Sequence, residues 1–461
     1  MEMNGSAKVS GDVIDGLNQL LDGSAYGPAS DGWDEARAAW NLAVDQHPAC
    51  VVVPTSADDV SAAVKFAGEN GLWVTAQGTG HSAAAYDSLA GALLIKTSEM
   101  QELSIDHDTR IARVGAGVTW GAVVPAAAEH GLIALAGSSH DVGVVGYHLG
   151  GGLSFLARKH GLASDWVRAI ELVKADGTQV RVSADDEPDL FWALRGGGGN
   201  FGVVTALEFE LLPMPELCTG SLFFAPERTA EVFQAWRRWT ADLPNEMSTT
   251  ARMLSFPPFP EIPEVFRGKS FAIIEAVWLG DEPSGSKLLE PLRELGPDND
   301  TFQASDPMGL LALHMDPPGP VPGFGDHMLL GEITEGEIEA LVDAVGPGSG
   351  VPILGFEMRL LGGALDAATD GGGATSSLRA RFLTYGVGVL AAPEMRPPLE
   401  KGFRDAREAL AGSLCDSNAL NFTEVRVEPG AIFGTEALAR LREVKSTVDE
   451  GGLIRGNHLL T

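Results

Sequence analysis

The sequence predicts an α+β protein of two lobes, and three observations carry that expectation. Up to about Pro215 the chain alternates helix and strand signals. Three glycine-rich segments punctuate this half, the first directly after a predicted strand and the third running into one. From Glu216 onward long apolar strands stand beside segregated helices, the pattern of an antiparallel sheet covered by helices on one face. A chain of 461 residues also exceeds what one hydrophobic core serves. We therefore expect a first lobe at 1–215 with its core at about 45–215, a second lobe at 216–416, and a return of the chain to the first lobe at 417–461.

The elements follow in order. Val60, Ala63, Val64 and Ala67 recur at helical spacing, with Ser56 as a cap and Asn70-Gly71 as a stop. Leu72–Ala76 reads as a strand, followed by strands at Ala92–Lys96, Ile111–Val114, Arg168–Lys174 and Gly202–Leu211. Asp176-Gly177 marks a hairpin turn, and Pro213 with Pro215 closes the first lobe. In the second, strands at Ser270–Leu279, Pro352–Leu361 and Arg379–Leu390 alternate with helices at Thr229–Leu243 and Thr334–Val345. A Pro/Gly-rich loop, Asp316–Gly325, reads as a lid or entrance wall. A last helix is expected at Thr435–Val448.

Composition excludes several classes of function. Lys+Arg total 32 against 63 Asp+Glu, a net charge of -31 that repels nucleic acid and anionic membrane surfaces. No apolar stretch runs long enough to span a bilayer, and no signal-peptide pattern opens at Met1–Ser6. Cys50, Cys218 and Cys415 are few, odd in number and far apart, which fits buried thiols in a reducing cytoplasm rather than a disulfide frame or a metal site. No heptad seam or interface patch sets an oligomeric state.

The glycine clusters carry the chemistry. No G-x-G-x-x-G follows a strand; Gly115-Ala-Gly-Val-Thr-Trp-Gly121 has the wrong last spacing and lacks an acidic partner for a ribose. Gln77-Gly78-Thr79-Gly80-His81-Ser82 instead suits a nest of backbone N–H groups around a pyrophosphate-like anion. Gly137-Ser138-Ser139-His140-Asp141-Val142-Gly143, continuing to Gly146, Gly150, Gly151 and Gly152, implies a backbone approached closely by something flat. Gly196–Gly199 and Gly202-Val203-Val204 form a third loop running into a strand.

In this order and spacing the clusters resemble the PCMH-type FAD-binding domain of vanillyl-alcohol-oxidase-like flavoproteins, in particular the berberine-bridge-enzyme-like branch. The resemblance runs through Pro48–Pro54, Gly80-His81, Val142–Gly146, Leu149–Gly152, Ala157–Leu162 and Asp189–Gly202, and closes at Leu453–Asn457. Glu357–Ala364 is the most familiar stretch of the middle lobe.

The resemblance implies FAD, contacted by Gly78, Thr79, Gly80, His81 and Ser82. It adds Gly137, Ser138, Ser139, Asp141, Val142, Gly143, Gly146, Gly150, Gly151 and Gly152, then Gly202, Val203, Val204 and Asn457. It makes His81 the point of covalent 8α attachment; a loop histidine bonded to a phosphate or the backbone is the alternative. Many members add a cysteinyl bond where this chain has Ser139, and a serine hydroxyl is too weak a nucleophile, so one bond is expected rather than two. Val142 matches a position beside the flavin associated with oxygen access, or is an ordinary buried valine. The implied activity is an oxidase taking a hydride from a small organic substrate, a secondary alcohol, amine or activated C–H, and passing electrons to O2 to give H2O2. A dehydrogenase, a non-redox cyclase or isomerase with FAD as a structural element, and a flavin-carrying binding protein are the alternatives.

Hydride loss has to be coupled to loss of a proton. Tyr385 lies on a strand similar to one that projects a base over the flavin in the family, and is otherwise a strand aromatic. Glu357 and Arg359 share a strand face by alternation, as a second base candidate or as an ion pair. The family's Y-x-N tyrosine is replaced at Ala419-Leu-Asn421, although Asn421 remains. Tyr147 and His148 are expected to line the pocket, with His140 a substitute base or a structural histidine.

Overall fold

The computed structural model describes residues 10–258, 260 and 262–460. The expectation made at Met1–Ser6, and Thr461 at the end of the third segment, fall outside this range.

Ser56 is extended, and its hydroxyl accepts the Asp59 amide at 3.2 Å, starting the helix Ala57–Glu69. Val60, Ala63, Val64 and Ala67 turn inward, and Gly71 ends the run at a φ of 68°. This helix packs between two sheets. The first contains β1 (Ser24–Tyr26), β2 (Cys50–Val53), β3 (Trp73–Gln77) and β4 (Ala92–Lys96) in the order β1-β2-β4-β3, with β2 and β3 parallel to β4. The second is antiparallel. From β5 (Leu103–Asp106), β6 (Ile111–Gly115), β7 (Leu132–Ile133), β8 (Val167–Val173), β9 (Gln179–Ser183), β10 (Val203–Glu210) and β11 (Leu212–Pro213) it takes the order β5-β6-β10-β8-β9, leaving β7 and β11 as a separate pair. Asp176-Gly177 makes the β8–β9 turn.

The second lobe is one antiparallel sheet. Its strands are β12 (Leu217–Phe224), β13 (Met247–Ser255), β14 (Ser270–Leu279), β15 (Asn299–Asp300), β16 (Gln303–Ala304), β17 (Gly323–Leu330), β18 (Ile353–Leu360) and β19 (Phe382–Val389), ordered β15-β12-β14-β13-β18-β19-β17 with β16 also on β12. Helices Thr229–Trp239, Glu282–Arg293, Glu335–Val345 and Arg396–Ala409 cover one face. Phe356, Met358 and Leu360 point into that helical layer with Phe382 and Trp236, whereas Glu357 and Arg359 alternate to the opposite face. Burying each of Phe356 and Phe382 stabilises the layer by about 1.5–3 kcal/mol.

One expectation needs correction. The Pro/Gly-rich loop ends at Pro322, because pairing with β19 begins at Gly323 once the prolines stop removing donors. The last helical segment breaks at Gly434 (φ 69°, ψ 173°), where a short turn at 430–433 gives way to the expected helix at 435–448. Its Ile432, Phe433, Leu438, Leu441 and Val444 join the core of the first lobe, and Ile454 bridges to Val74 of β3. Among the described residues no helix is long and apolar enough to cross a membrane, and no cluster of side chains is placed to hold a metal.

Candidate active site

The helix-free face of the large sheet looks onto the glycine-rich loops of the first lobe, and a cavity of about 430 Å³ lies between them. From the first cluster it is lined by Gly78, Thr79, Gly80, His81 and Ser82; from the second by Gly137, Ser138, Ser139, Val142, Gly143, Gly146 and Gly150. Gly202, Val204, Asn421 and Asn457 also line it. A Cβ added at Gly146 or Gly199, both in the wall, would meet no protein atom within 4 Å, so the space a side chain would take is left to a ligand.

β3 delivers the first loop. Gly80 has a φ of 95°, and a Cβ there would lie 2.9 Å from the Ala39 backbone. This close approach lets Trp40 stack on His81, with ring centroids 4.0 Å apart and planes inclined by 19°. Thr79 Oγ1 is 2.7 Å from His81 Nδ1, while the buried Nε2 makes no hydrogen bond and lies 3.5 Å from Asp141 Oδ1. Asp141 accepts from Ser139 Oγ at 2.8 Å and from Trp40 Nε1 at 2.5 Å. Burial alone would raise its carboxyl, but His81, Ser139 and Trp40 outweigh it and hold Asp141 well below the usual carboxylate range.

Several expected contacts do not reach the cavity wall. Asp141 acts behind His81. Val203 points into the core by strand alternation. Gly151 and Gly152 serve packing and chain reversal: Gly152 N donates to Asn421 Oδ1 at 2.7 Å, and Asn421 Nδ2 donates to Tyr147 O at 3.1 Å. At Gly152 φ is 79°, and a Cβ would meet Tyr147 Cε1 at 2.5 Å and Ala163 Cβ at 2.8 Å. Gly152→Ala is therefore expected to destabilise the protein by about 1–3 kcal/mol or more, read as a lower urea midpoint. Tyr147 lines the cavity, but its hydroxyl is taken by Leu135 O at 3.0 Å. His148 is buried against Trp120 and Phe209, and burial lowers it to about 4; it is structural. His140 is exposed away from the wall and cannot act as a base there.

The opposite wall comes from β18, β19 and the loop before β17: Leu354, Arg359, Tyr385, Val387, His314, Asp316 and Pro317. Tyr385 donates a short hydrogen bond to Glu424 Oε1, and Gly325 N donates to Glu424 Oε2 at 3.1 Å. Burial and the Glu424 charge push the Tyr385 phenol well above its ordinary value. Burial likewise raises Glu424, against the hydrogen bonds it accepts from Tyr385 and Gly325.

Glu357 is not a base. It is buried, with Oε1 2.7 Å from Arg359 Nε and Oε2 2.7 Å from His314 Nε2. His314 Nδ1 lies 2.8 Å from Glu275 Oε2, and Glu275 Oε1 is 2.7 Å from Arg252 Nη1. Burial raises the Glu357 carboxyl, but Arg359 and His314 outweigh it and hold Glu357 well below its usual range. Burial and Arg252 lower His314, yet Glu275 and Glu357 prevail and lift it from 6.5 to about 9. A histidine raised on folding contributes stability that is fully present below 6.5 and lost as pH rises through about 9. The unfolding midpoint is expected to fall over that window in the wild type and to change less in His314→Gln.

Comparison with known proteins fits this geometry. Residues 48–183 match an FAD binding domain. The chain is 31% identical over 313 residues to the FAD-linked oxidoreductase YvdP of Bacillus subtilis, covering 66% of this chain and 67% of that one. It belongs to the berberine-bridge-enzyme-like, PCMH-type FAD-linked oxidoreductases. To glucooligosaccharide oxidase of Sarocladium strictum this family member is 37% identical over 212 residues, 45% of this chain and 40% of that enzyme, so the match spans less than half the relative's length. The 6-hydroxy-D-nicotine oxidase of Arthrobacter nicotinovorans superposes with a TM-score of 0.83 at 24% identity, over 95% of this chain and 98% of that one, which shows the fold.

The glycine cradle, with His81 in the cavity wall, fits the flavin of this family. Sequence reasoning missed Trp40, His314, Asp316 and Glu424. Trp40 precedes the recognisable stretch, and Glu424 lies 39 residues from Tyr385 with no periodicity linking them.

Proposed function

We propose that this chain is an FAD-dependent oxidase acting on a small organic molecule that carries an oxidisable carbon bearing O–H or N–H. The observation that carries the reading is the Tyr385–Glu424 pair on the cavity wall facing the glycine cradle. FAD, when bound, accepts the hydride and passes the electron pair to O2, giving H2O2. The residues manage the proton. A phenol held neutral cannot act as a free phenolate, but its oxygen can accept the substrate proton as its own proton moves to Glu424. Raising Glu424 brings its proton affinity closer to neutral pH, where a base is most effective. Val387, Leu354 and Phe422 give the cavity apolar walls beside the pair. Relatives named as a glucooligosaccharide oxidase and a hydroxynicotine oxidase support the reading of an oxidase with a small organic substrate.

His81 is the residue we assign to covalent FAD attachment, as a single bond, because Ser139 offers only a hydroxyl that is turned towards Asp141. Val142 lines the cavity and is assigned to oxygen access. Three unpaired cysteines support a cytoplasmic setting. The test is anaerobic mixing with a panel of alcohols, amines and hydroxy acids, then admission of air. Bleaching of the flavin with one H2O2 per turnover is the expected result. Product formed without bleaching would replace the oxidase reading with the non-redox one.

A further inference from the structure

The buried ion cluster on the cavity wall has fewer closely paired carboxylates than cations. Arg252, His314 and Arg359 are cationic, and the carboxylates paired with them are Glu275 and Glu357. Among the described residues no third carboxylate comes within the 4.0 Å that the longest of these pairs spans. Asp316, on the cavity wall, reaches His314 and Arg359 only through its charge, so the three cations share two paired carboxylates and a more distant third. Charged groups withdrawn from water require partners, and a donor left unpaired beside a cavity is most readily met by what enters the cavity.

The unpaired donor is on Arg359. Its Nε faces Glu357, and its Nη2 lies 3.4 Å from His314 Nε2, which is itself turned to Glu357. Nη1 has no hydrogen-bond partner among the described residues. Arg359 is also the one Arg or Lys among the residues lining the cavity. Its position relative to the proton acceptor is set by strand register. Glu357 pairs with Tyr385 across β18 and β19, so Arg359 lies two residues along on the same face. Phe422 sits between them, its ring centroid 5.8 Å from that of Tyr385 and 5.4 Å from Arg359 Cζ.

We infer that Arg359 seats an anionic group of the substrate, a carboxylate, and that the substrate is an organic acid whose oxidised carbon lies an apolar spacer away, across the face of Phe422. This rests on the oxidase reading, in which Tyr385 marks the oxidised end. A guanidinium fork suits a planar carboxylate, and Leu354 and Phe422 suit the spacer. Asp316 and Glu424 also face the cavity; they repel an anion from the loop and from the Tyr385 end, which leaves Arg359 as its seat.

The experiment uses the flavin-loaded protein and two probes of one shape, benzoate and benzamide, titrated by calorimetry and by the flavin absorbance. Benzoate is expected to bind at least about tenfold more tightly. Arg359→Gln should abolish the preference, Arg359→Lys should keep part of it, and Asp316→Asn should tighten benzoate. Equal affinities, no binding of either probe, or a preference that survives Arg359→Gln would overturn the inference. So would an Arg359→Gln variant whose flavin potential shifts while benzoate affinity does not, because the charge would then serve the cofactor. If Arg359→Gln does not fold, the wild-type comparison and Arg359→Lys still decide. Anaerobic bleaching and H2O2 release, measured without either probe, separate failure of the oxidase reading from failure of this one.

Discussion

Tyr385→Phe is expected to slow flavin reduction by about 10²–10⁴-fold, the usual contribution of a positioned proton acceptor, with flavin content unchanged. The phenylalanine keeps the ring that meets Phe422 at 5.8 Å and deletes only the oxygen between the cavity and Glu424. Glu424→Gln removes the final proton acceptor and should slow reduction to a similar extent. The two residues act as one relay, so the double variant should be little slower than either single one. The pH profile tells a relay from a packing effect. Glu424 is raised above the ordinary carboxylate value, so the wild-type rate should fall as pH drops and Glu424 takes up a proton. Glu424→Gln should lose that limb and keep the flavin spectrum. A Tyr385→Phe rate within about threefold of wild type would remove the relay from the mechanism, since even weak general-base catalysis exceeds that.

This pair also shows where sequence reading ran out. Tyr385 was legible because its strand resembles one that carries a base in the family, and β19 forms at Phe382–Val389, within the expected Arg379–Leu390. Glu424 sits in an irregular segment after Asn421, where no period says which way a side chain turns; its role exists only once Gly325 and Tyr385 are brought to it by the fold. Glu357 with Arg359 is intermediate. Alternation puts them on one face and foretells their ion pair, but His314, Glu275 and Arg252 come from a loop and two other strands, whose register cannot be read from composition. The glycine clusters located the cleft but could not sort glycines that make room for a ligand, such as Gly146, from those that make room for Tyr147, such as Gly152. Both demand the missing Cβ, and only neighbouring atoms distinguish them.

His81→Ala is expected to convert an acid-stable flavin into one released completely on acid denaturation. Thr79 Oγ1 close to Nδ1 and the Asp141 carboxylate on the Nε2 side together favour a proton on Nε2 and a lone pair on Nδ1. A carboxylate held ionised by Ser139 and Trp40 stabilises the positive charge that an imidazole acquires when Nδ1 bonds to carbon. The stacked Trp40 ring fixes the imidazole plane. The wild-type chain should therefore be heavier by one FAD in intact mass, and digestion should place the flavin on the peptide containing His81 and not on the one containing Ser139. In His81→Ala the glycine cradle remains, so FAD should still bind, but colour should leave with the acid supernatant. Yellow precipitate from His81→Ala would place the bond on another residue. A wild-type chain at its unmodified mass would leave His81 as a neighbour of a dissociable flavin, with the Tyr385–Glu424 relay untouched, because that relay stands on the opposite wall and makes no demand on how the cofactor is held.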